Sequence, residues 1–357
     1  MSLNGTSRTA QQGGFVLVVV LALLVVLTLL AGMVALSGSR AIAEAQREVD
    51  QFQSDLDMLS TRESVLFMYA TQHRNVGGLV PEFRPAYTSA MLDDDTDGIT
   101  SLPTGNEIKL DGTAYKGLGD VYFSLQDDNG LVNINWAQDV LRNAFYAYFG
   151  APAQEWNALD AKRLDYQDPD SLHRLNGAEA PEYAKAGLPP PPNRTVSTPL
   201  EFRRILQWHD LLEGTPDDAL VGMLTLSRTT SLNLNTAPAD VLAMLPGMDA
   251  EQAGRMVDLR RRIPFTTVYQ AMQAFPIAPM VQENLTLFPK NSGNLILWNR
   301  HFGTRHAVHW TLTPMQIGGA PWHIDYEVTL PRDNKSGEAM AETPATPILA
   351  PQDPTGD

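Results

Sequence analysis

From Phe15 to Leu36 the chain reads FVLVVVLALLVVLTLLAGMVAL, without one charged residue. At ~1.5 Å per helical residue this run spans a ~30 Å hydrocarbon core. Charges then return and the apolar residues thin to a stripe: Ile42, Val49, Phe52, Leu56, Leu59, Val65, Leu66 and Tyr69 recur at spacings near three and four, the period of one helix face. No proline interrupts Phe15 to Val80, whereas Gly77-Gly78, Pro81 and Pro85 mark a stop. The pattern predicts one long helix, membrane-embedded at its start and packed on a folded domain at its end.

After Gly119 the period changes. Val121, Phe123 and Leu125 alternate as in a strand, Asp128-Asn129-Gly130 is a turn, and Asn133-Ile134-Asn135 leads to a helix with Val140, Leu141, Phe145 and Tyr148 on its apolar face. About a hundred residues later Ser231-Leu232-Asn233-Leu234-Asn235-Thr236-Ala237 precedes Asp240-Val241-Leu242. It matches Asn133-Ile134-Asn135-Trp136-Ala137 before Asp139-Val140-Leu141 with one residue inserted. Two similar helical modules are the economical explanation.

In the second module Pro238 opens a helix that stops at Pro246-Gly247. Asp249 with Gln252 forms a capping pattern for the next, which ends on Arg260-Arg261-Arg262, and Thr267 with Gln270 opens a third. Between the modules lie Leu164 to Asp170, Arg174 to Glu179 and an extended surface connector, Pro189 to Pro192. Phe202, Ile205, Leu206 and Leu211 predict a further short helix. Beyond Phe288, the runs Leu295 to Trp298, Ala307 to Leu312 and Trp322 to Leu330 predict an antiparallel sheet, and the Pro- and Ala-rich tail from Asp333 is expected to be disordered.

The apolar run follows a short polar leader ending Gln11-Gln12-Gly13-Gly14. It is longer than the apolar region of a secretory signal peptide. Gly14 before Phe15 and a long apolar helix resemble the prepilin class of leader, in which the chain is cut between those two residues and the helix is retained. An uncut anchor is the alternative. Pilins and major pseudopilins usually carry glutamate at the fifth mature position, which here is Val19. A carboxylate at membrane depth is costly unless paired, so its absence favours a subunit at the end of a fibre. Arg8 before the helix and Arg40 and Arg47 after it orient the span only weakly.

The 357 residues carry 26 Lys and Arg against 41 Asp and Glu, a formal charge of −15. Such a surface repels phosphate backbones, which disfavours nucleic-acid binding. There is no cysteine, hence no disulfide and no thiolate metal site. Asp93, Asp95 and Asp97 followed by Gly98 repeat the first half of a calcium loop, but the twelfth position is Thr104 rather than glutamate. A calcium site and a solvated acidic turn both fit. His301, His306 and His309 come nearest to a transition-metal cluster, yet the odd spacing along a strand sends the last two to opposite faces. They read as surface histidines. No Gly-x-Ser-x-Gly, P-loop or His-Glu-x-x-His occurs, so the chain is not expected to be an enzyme. Leu245-Pro246-Gly247-Met248-Asp249 resembles a DNA-gripping helix-hairpin-helix turn, with Asp249 in place of its second glycine. DNA uptake through this hairpin is the alternative function.

Together these motifs resemble the K class of minor pseudopilins (GspK) of bacterial type II secretion, from Gly13 to about Leu330. The carrying residues are the leader with Val19, Asp127-Asp128-Asn129-Gly130 into Asn133-Ile134-Asn135, Asp168-Pro169-Asp170 with Asn176-Gly177-Ala178-Glu179, and Leu232 to Ala237. Tyr166, where tryptophan is expected, and the sheet after Asn291 depart from the pattern. The resemblance implies an α+β fold: a pilin-like N-terminal long helix and small antiparallel sheet, interrupted by a large all-α domain with two SAM-like or helix-hairpin-helix-like modules. The implied divisions are a leader (1–14), the transmembrane half of the stem (15–36), stem and first part of the sheet (37–135), the insert (136–288), the remaining strands (289–332) and the tail (333–357).

It implies processing by a prepilin peptidase between Gly14 and Phe15 with N-methylation of Phe15, and single-pass residence in the inner membrane with the C-terminal domain in the periplasm. Implied partners are the I and J class minor pseudopilins, the major pseudopilin and the inner-membrane assembly platform. The protein would sit at the pseudopilus tip, start the fibre and support export of folded proteins. Bound calcium is known in the family, and Asp93, Asp95 and Asp97 are the candidate ligands.

Overall fold

The structure, a computed structural model, describes residues 13–81, 99–100, 102–299, 304–316, 318–331, 346 and 348–349. The chain divides into two units, Met1–Asp55 and Leu56–Asp357. Helix α1 (Gly13–Thr71) supplies the described part of the first. Its apolar stretch, Val16 to Leu36, is exposed throughout, and it is long and apolar enough to cross a membrane. The hydroxyls there fold back on the helix: Thr28 Oγ1 donates to the Val25 carbonyl at 3.1 Å and Ser37 Oγ to Val34 at 2.9 Å. In lipid such self-satisfaction is required.

The second unit is built on a five-stranded antiparallel sheet with strands β1 (Asp111–Lys116), β2 (Val121–Asp127), β3 (Ser292–Asn299), β4 (Arg305–Leu312) and β5 (Trp322–Leu330). Its order is β5-β4-β3-β2-β1, a meander whose strands pair with their sequence neighbours. Between β2 and β3 the chain leaves the sheet, builds a helical lobe, and returns to pair Asp127 with Gly293. One sheet face packs on the end of α1: Val65, Leu66, Met68 and Tyr69 meet Phe123, Leu125, Leu295 and Trp310. The Tyr69 and Trp310 rings lie edge to face, 4.2 Å between centroids. The lobe covers the other face, where Val221 packs with Ala307 and Leu330. All of β2 is therefore buried.

The lobe holds α2 (Asp139–Tyr148), α3 (Trp156–Gln167), α4 (Ala180–Lys185), α5 (Trp208–Leu211), α6 (Asp217–Met223), α7 (Ala239–Met244), α8 (Ala250–Arg262) and α9 (Val268–Ala274). Trp208 anchors its first half, ringed by Phe145, Tyr146 and Phe202, with its indole N–H donating to the Leu159 carbonyl at 3.0 Å.

The two modules repeat in detail. Val132 bridges Leu224 in parallel, and Leu232-Asn233 pairs in parallel with Leu285-Thr286, so each module is closed by its own two ends. The Asn133 and Asn233 side chains each accept from the backbone N–H two residues on, Asn135 and Asn235, at 2.9 Å. Each leading segment also receives a buried arginine from a later helix. Arg163 donates to Asn135 Oδ1 and Arg260 to the Leu234 carbonyl, both at 2.7 Å.

Several expectations are corrected. Helix α1 ends at Thr71 rather than at Gly77-Gly78, because Arg74-Asn75 and Gly78-Leu79 form a small antiparallel pair. Of its predicted apolar face, Val65, Leu66 and Tyr69 are buried, whereas Ile42, Val49, Phe52, Leu56 and Leu59 are exposed. Tyr148 is 40% exposed, and Tyr146 takes its expected place in the core of α2. The short helix expected near Phe202 is a 3-10 turn, Pro199–Arg204, followed by α5.

In the second module the capping expectation holds. Asp249 Oδ1 accepts from the Gln252 N–H at 2.8 Å and Gln252 Oε1 from the Asp249 N–H at 3.2 Å. The preceding Gly247 has φ 93°, and a Cβ there would lie 2.1 Å from the Pro276 carbonyl oxygen. Asp249→Ala removes one of α8's N-terminal acceptors and is expected to cost about 1 kcal/mol, read as a lower thermal midpoint of the detergent-solubilised chain.

Candidate functional site

Of the residues singled out from the leader, Gly14 and Phe15 fall within the bounds of α1, and Val19 lies in the same helix, 40% exposed. Asp93, Asp95 and Asp97 lie outside the described residues, as do His301 and the tail positions apart from Thr346, Ile348 and Leu349.

Two polar constructions stand out in the second unit. The first is where β2 hands over to the lobe. Asp127 and Asp128 are both buried, because the strand runs straight into a 3-10 turn, Asp128–Gly130, under the returning chain. Asp127 Oδ1 accepts the N–H groups of Lys290 at 2.8 Å and Asn129 at 3.1 Å. Its Oδ2 accepts Thr236 Oγ1 at 2.9 Å and Asn233 Nδ2 at 3.0 Å. One carboxylate thus fastens the second module and the chain returning to the sheet. Burial pushes this carboxyl up to about 7, against the pull of the Lys290, Thr236, Asn129 and Asn233 donors. Four donors and no acceptor suit the ionised form.

Asp128 accepts from Thr225 Oγ1 at 2.7 Å, from Ser292 Oγ, and from His309 Nε2 at 3.0 Å. His309 Nδ1 faces Asp325 Oδ2 at 2.8 Å, which also accepts from Thr311 Oγ1 at 2.7 Å. The imidazole therefore bridges two carboxylates, and a doubly protonated ring donates to both. Burial alone would lower its pKa, but the charge and hydrogen bond of Asp128, joined by Asp325, raise it to about 9. Burial likewise opposes ionisation of Asp128, and His309 holds that carboxyl below its ordinary value. Tyr326 stacks on the ring, 4.9 Å between centroids, and gives its hydroxyl to Asn294 Oδ1.

His309 is thus a buried keystone, contrary to its reading as a surface histidine, because β4 is covered by the lobe. His306 sits on the opposite face, with Nδ1 3.4 Å from Glu327.

The second construction is the loop after α3, whose Asp168-Pro169-Asp170 and Asn176-Gly177-Ala178-Glu179 carry part of the family resemblance but receive no site role from it. Asp165, fully buried, accepts Arg174 Nη1 at 2.7 Å on Oδ1, and the N–H groups of Ala178 at 3.0 Å and Arg174 at 3.2 Å on Oδ2. Gly177 is required here, since a Cβ would lie 1.9 Å from Asp165 Oδ2. Arg174 also pairs with Asp168. Two carboxylate oxygens are left buried without partners, Asp168 Oδ1 and Glu179 Oε1. Burial raises the Glu179 pKa, reinforced by the Asp165, Asp168 and Asp170 carboxylates.

Orphaned carboxylate oxygens fit a hard cation such as calcium, which takes oxygen ligands, and Arg174 already neutralises part of the charge at Asp165 and Asp168. Among the described residues no group of three or more His, Asp or Glu side chains is already gathered as a cage. Asp168 and Glu179 are the side chains that would hold the ion, with the rest of its shell from backbone or water.

The described chain is an α+β protein with one N-terminal helix able to cross a membrane, helices and a small antiparallel sheet. The model of the family described as Type II secretion system (T2SS), protein K matches residues 232–286, a stretch that begins and ends on the two short strands closing the second module. The resemblance to the K class drawn from the motifs thus recurs in an independent family match. No curated protein matches the chain. Among solved structures, a chain in the crystal structure of the GspK-GspI-GspJ complex from the enterotoxigenic Escherichia coli type 2 secretion system is similar at 13% identity. The match covers 80% of this chain and 98% of that one, with a TM-score of 0.43.

Proposed function

We propose that this chain is a K-class minor pseudopilin: a membrane-anchored tip subunit that assembles with the I and J class minor pseudopilins, starts the pseudopilus and supports export of folded proteins. The observation that carries the reading is the protein K match over a structurally self-closed module. In this reading the sheet and the end of α1 form a pilin-like body, and the lobe is a lateral insert of two SAM-like modules. The chain would be cut between Gly14 and Phe15 and methylated on Phe15, with Val19 suiting a subunit that has none of its kind above it. Prepilin peptidase, the major pseudopilin and the assembly platform would be its other partners, and its folded part would lie in the periplasm.

The test is co-production of the full chain with the I and J partners. A stable ternary complex is expected from detergent extracts, and its absence while I and J still pair with each other would contradict the proposal. The DNA alternative is disfavoured by chemistry, since the Asp249 carboxylate puts a negative charge at the start of α8 and already takes the Gln252 amide there.

The same reading includes bound calcium. When bound, the ion supplies positive charge to buried carboxylates and ties the loop after α3 together. Calorimetric titration of calcium into the metal-free full chain is expected to give heat that Glu179→Gln abolishes and Asp95→Ala leaves. The opposite pattern would place the ion at Asp93, Asp95 and Asp97, and no heat from the parent protein would remove calcium from the account.

A further inference from the structure

The neck where the lobe leaves and rejoins the sheet carries a cation that the fold leaves unanswered. In the lobe Arg142, Arg163, Arg174, Arg203 and Arg261 each face a carboxylate. Arg228, in the stretch between the two modules, is exposed and makes no ion pair among the described residues. Its guanidinium lies instead over the Trp136 ring, 4.6 Å from the centroid. Stacking engages the flat face and leaves the N–H donors along the edge, in the fork that fits a carboxylate. Arg204 and Arg262 are unpaired too, but neither lies over a ring.

The frame around Arg228 is pinned. Asn133 Nδ2 donates to the Ser227 carbonyl, Lys290 Nζ to the Arg228 carbonyl, and Thr229 Oγ1 to Asn129 Oδ1 at 2.6 Å. Three consecutive residues are thus each tied to a different neighbouring segment. Asn129 Nδ2 in turn holds the Phe288 carbonyl at 3.1 Å. Trp136 is 46% exposed and Phe288 39%, so two aromatic side chains stay open to water beside the cation. Trp and Arg are the residue types that dominate the energy of binding surfaces.

The carboxylates of this region leave Arg228 available. Asp127 and Asp128 are buried and committed to donors of their own. Lys290 is half-buried and feels their charge, so Arg228 is the leading cation. Asp139 pairs with Arg142, Asp240 accepts the Tyr148 hydroxyl, and the exposed Glu283 pairs with neither cation. The charge of −15 belongs to the whole chain, and salt screens its exposed part beyond about 8 Å. A long polyanion or an anionic bilayer would meet that charge over a wide area; a short acidic segment would not.

We propose that Trp136, Arg228, Phe288 and Lys290 form a docking site for a short acidic segment of another protein. One Asp or Glu carboxylate takes the edge of Arg228, and an adjacent apolar side chain lies on Trp136 or Phe288. The inference uses only the neck and does not depend on the pseudopilin reading.

The test places a photoreactive phenylalanine analogue at Phe288 of the full chain, in the cells that make it. Expected is an adduct to another protein whose cross-linked peptide holds Asp or Glu beside an apolar residue. Its yield should fall about tenfold or more in Arg228→Glu, the scale of losing a charged hydrogen bond. It should stay at the parent level in Arg262→Glu, which changes the net charge equally. Arg228→Gln is expected to lose the adduct as well, at the parent's melting temperature, and decides the matter if Arg228→Glu does not fold. No adduct, adducts to nucleic acid, phospholipid or this chain's own residues, and a cross-linked peptide without Asp or Glu would each overturn the proposal. So would an undiminished yield in Arg228→Gln, an equal loss in Arg262→Glu, or a lower melting temperature in both Arg228 variants, which would make Arg228 a folding residue.

Discussion

Replacing Asp128 with alanine is expected to destabilise the folded chain by about 3–5 kcal/mol, the range for removing one partner of a buried ion pair. The cause is what stays behind. Asp128 is the acceptor for Thr225, Ser292 and His309, and Thr225 and His309 have no solvent to turn to. His309 would keep only Asp325 as counter-charge. The loss also reaches across the molecule, since Thr225 closes the first module beside Val132 while Ser292 and His309 belong to the sheet. Thermal unfolding of the detergent-solubilised full chain, followed by near-ultraviolet circular dichroism, checks this. A melting temperature within a degree or so of the parent would show that the junction is not what fastens the lobe.

Raising the pH should weaken the same junction from the other side. The His309 pKa is about 9 in the fold against an ordinary 6.5, so the unfolded chain releases this proton first as pH rises. The associated stability is full below about pH 6.5 and is lost as pH climbs through about 9, on the order of 3 kcal/mol in all. Asp127, raised to about 7 by burial, acts in the same direction over lower pH: its contribution is full below the ordinary carboxylate value and is lost as pH rises through 7. Asp128 and Asp325, both lowered, act oppositely. Theirs is present above the ordinary value and lost as pH falls through their folded values. Melting temperatures should therefore fall on both flanks, and His309→Gln should flatten the alkaline one between about pH 7 and 9. An unchanged alkaline flank in that variant would show that the proton on His309 does not stabilise the junction.

What could be read in advance was local. Val16 to Leu36 declares its helix through unbroken hydropathy, Asp249 with Gln252 declares a cap because the partners are three residues apart, and the two Asn-x-Asn segments declare a repeat that the structure closes with matching parallel bridges. The junction could not be read that way. Asp127-Asp128-Asn129-Gly130 looks like any polar turn, and its partners lie 97, 164 and 181 residues away in sequence at Thr225, Ser292 and His309. His309 looked exposed because alternation along a strand says which face a residue takes, not whether another domain covers that face.

Strand β1, Asp-Gly-Thr-Ala-Tyr-Lys, gave no signal because only Tyr115 is buried in it. It is recognised by pairing with β2 and by Asp111 lying 3.8 Å from the buried Arg260 of α8. In the loop after α3, Asp168-Pro169-Asp170 and Asn176 to Glu179 stand out in the sequence, but the role of Asp165 does not. Its Asp, Arg and Gly are ordinary turn residues until the Asp165 carboxylate is seen to take up the amides of Arg174 and Ala178.

The account rests on a stem that is trimmed and kept in the membrane while the split sheet and its lobe do the assembling. Intact-mass and N-terminal peptide analysis of the protein from its own cells tests this most directly. The mature chain is predicted to begin at an N-methylated Phe15; a population that still begins at Met1 would contradict it.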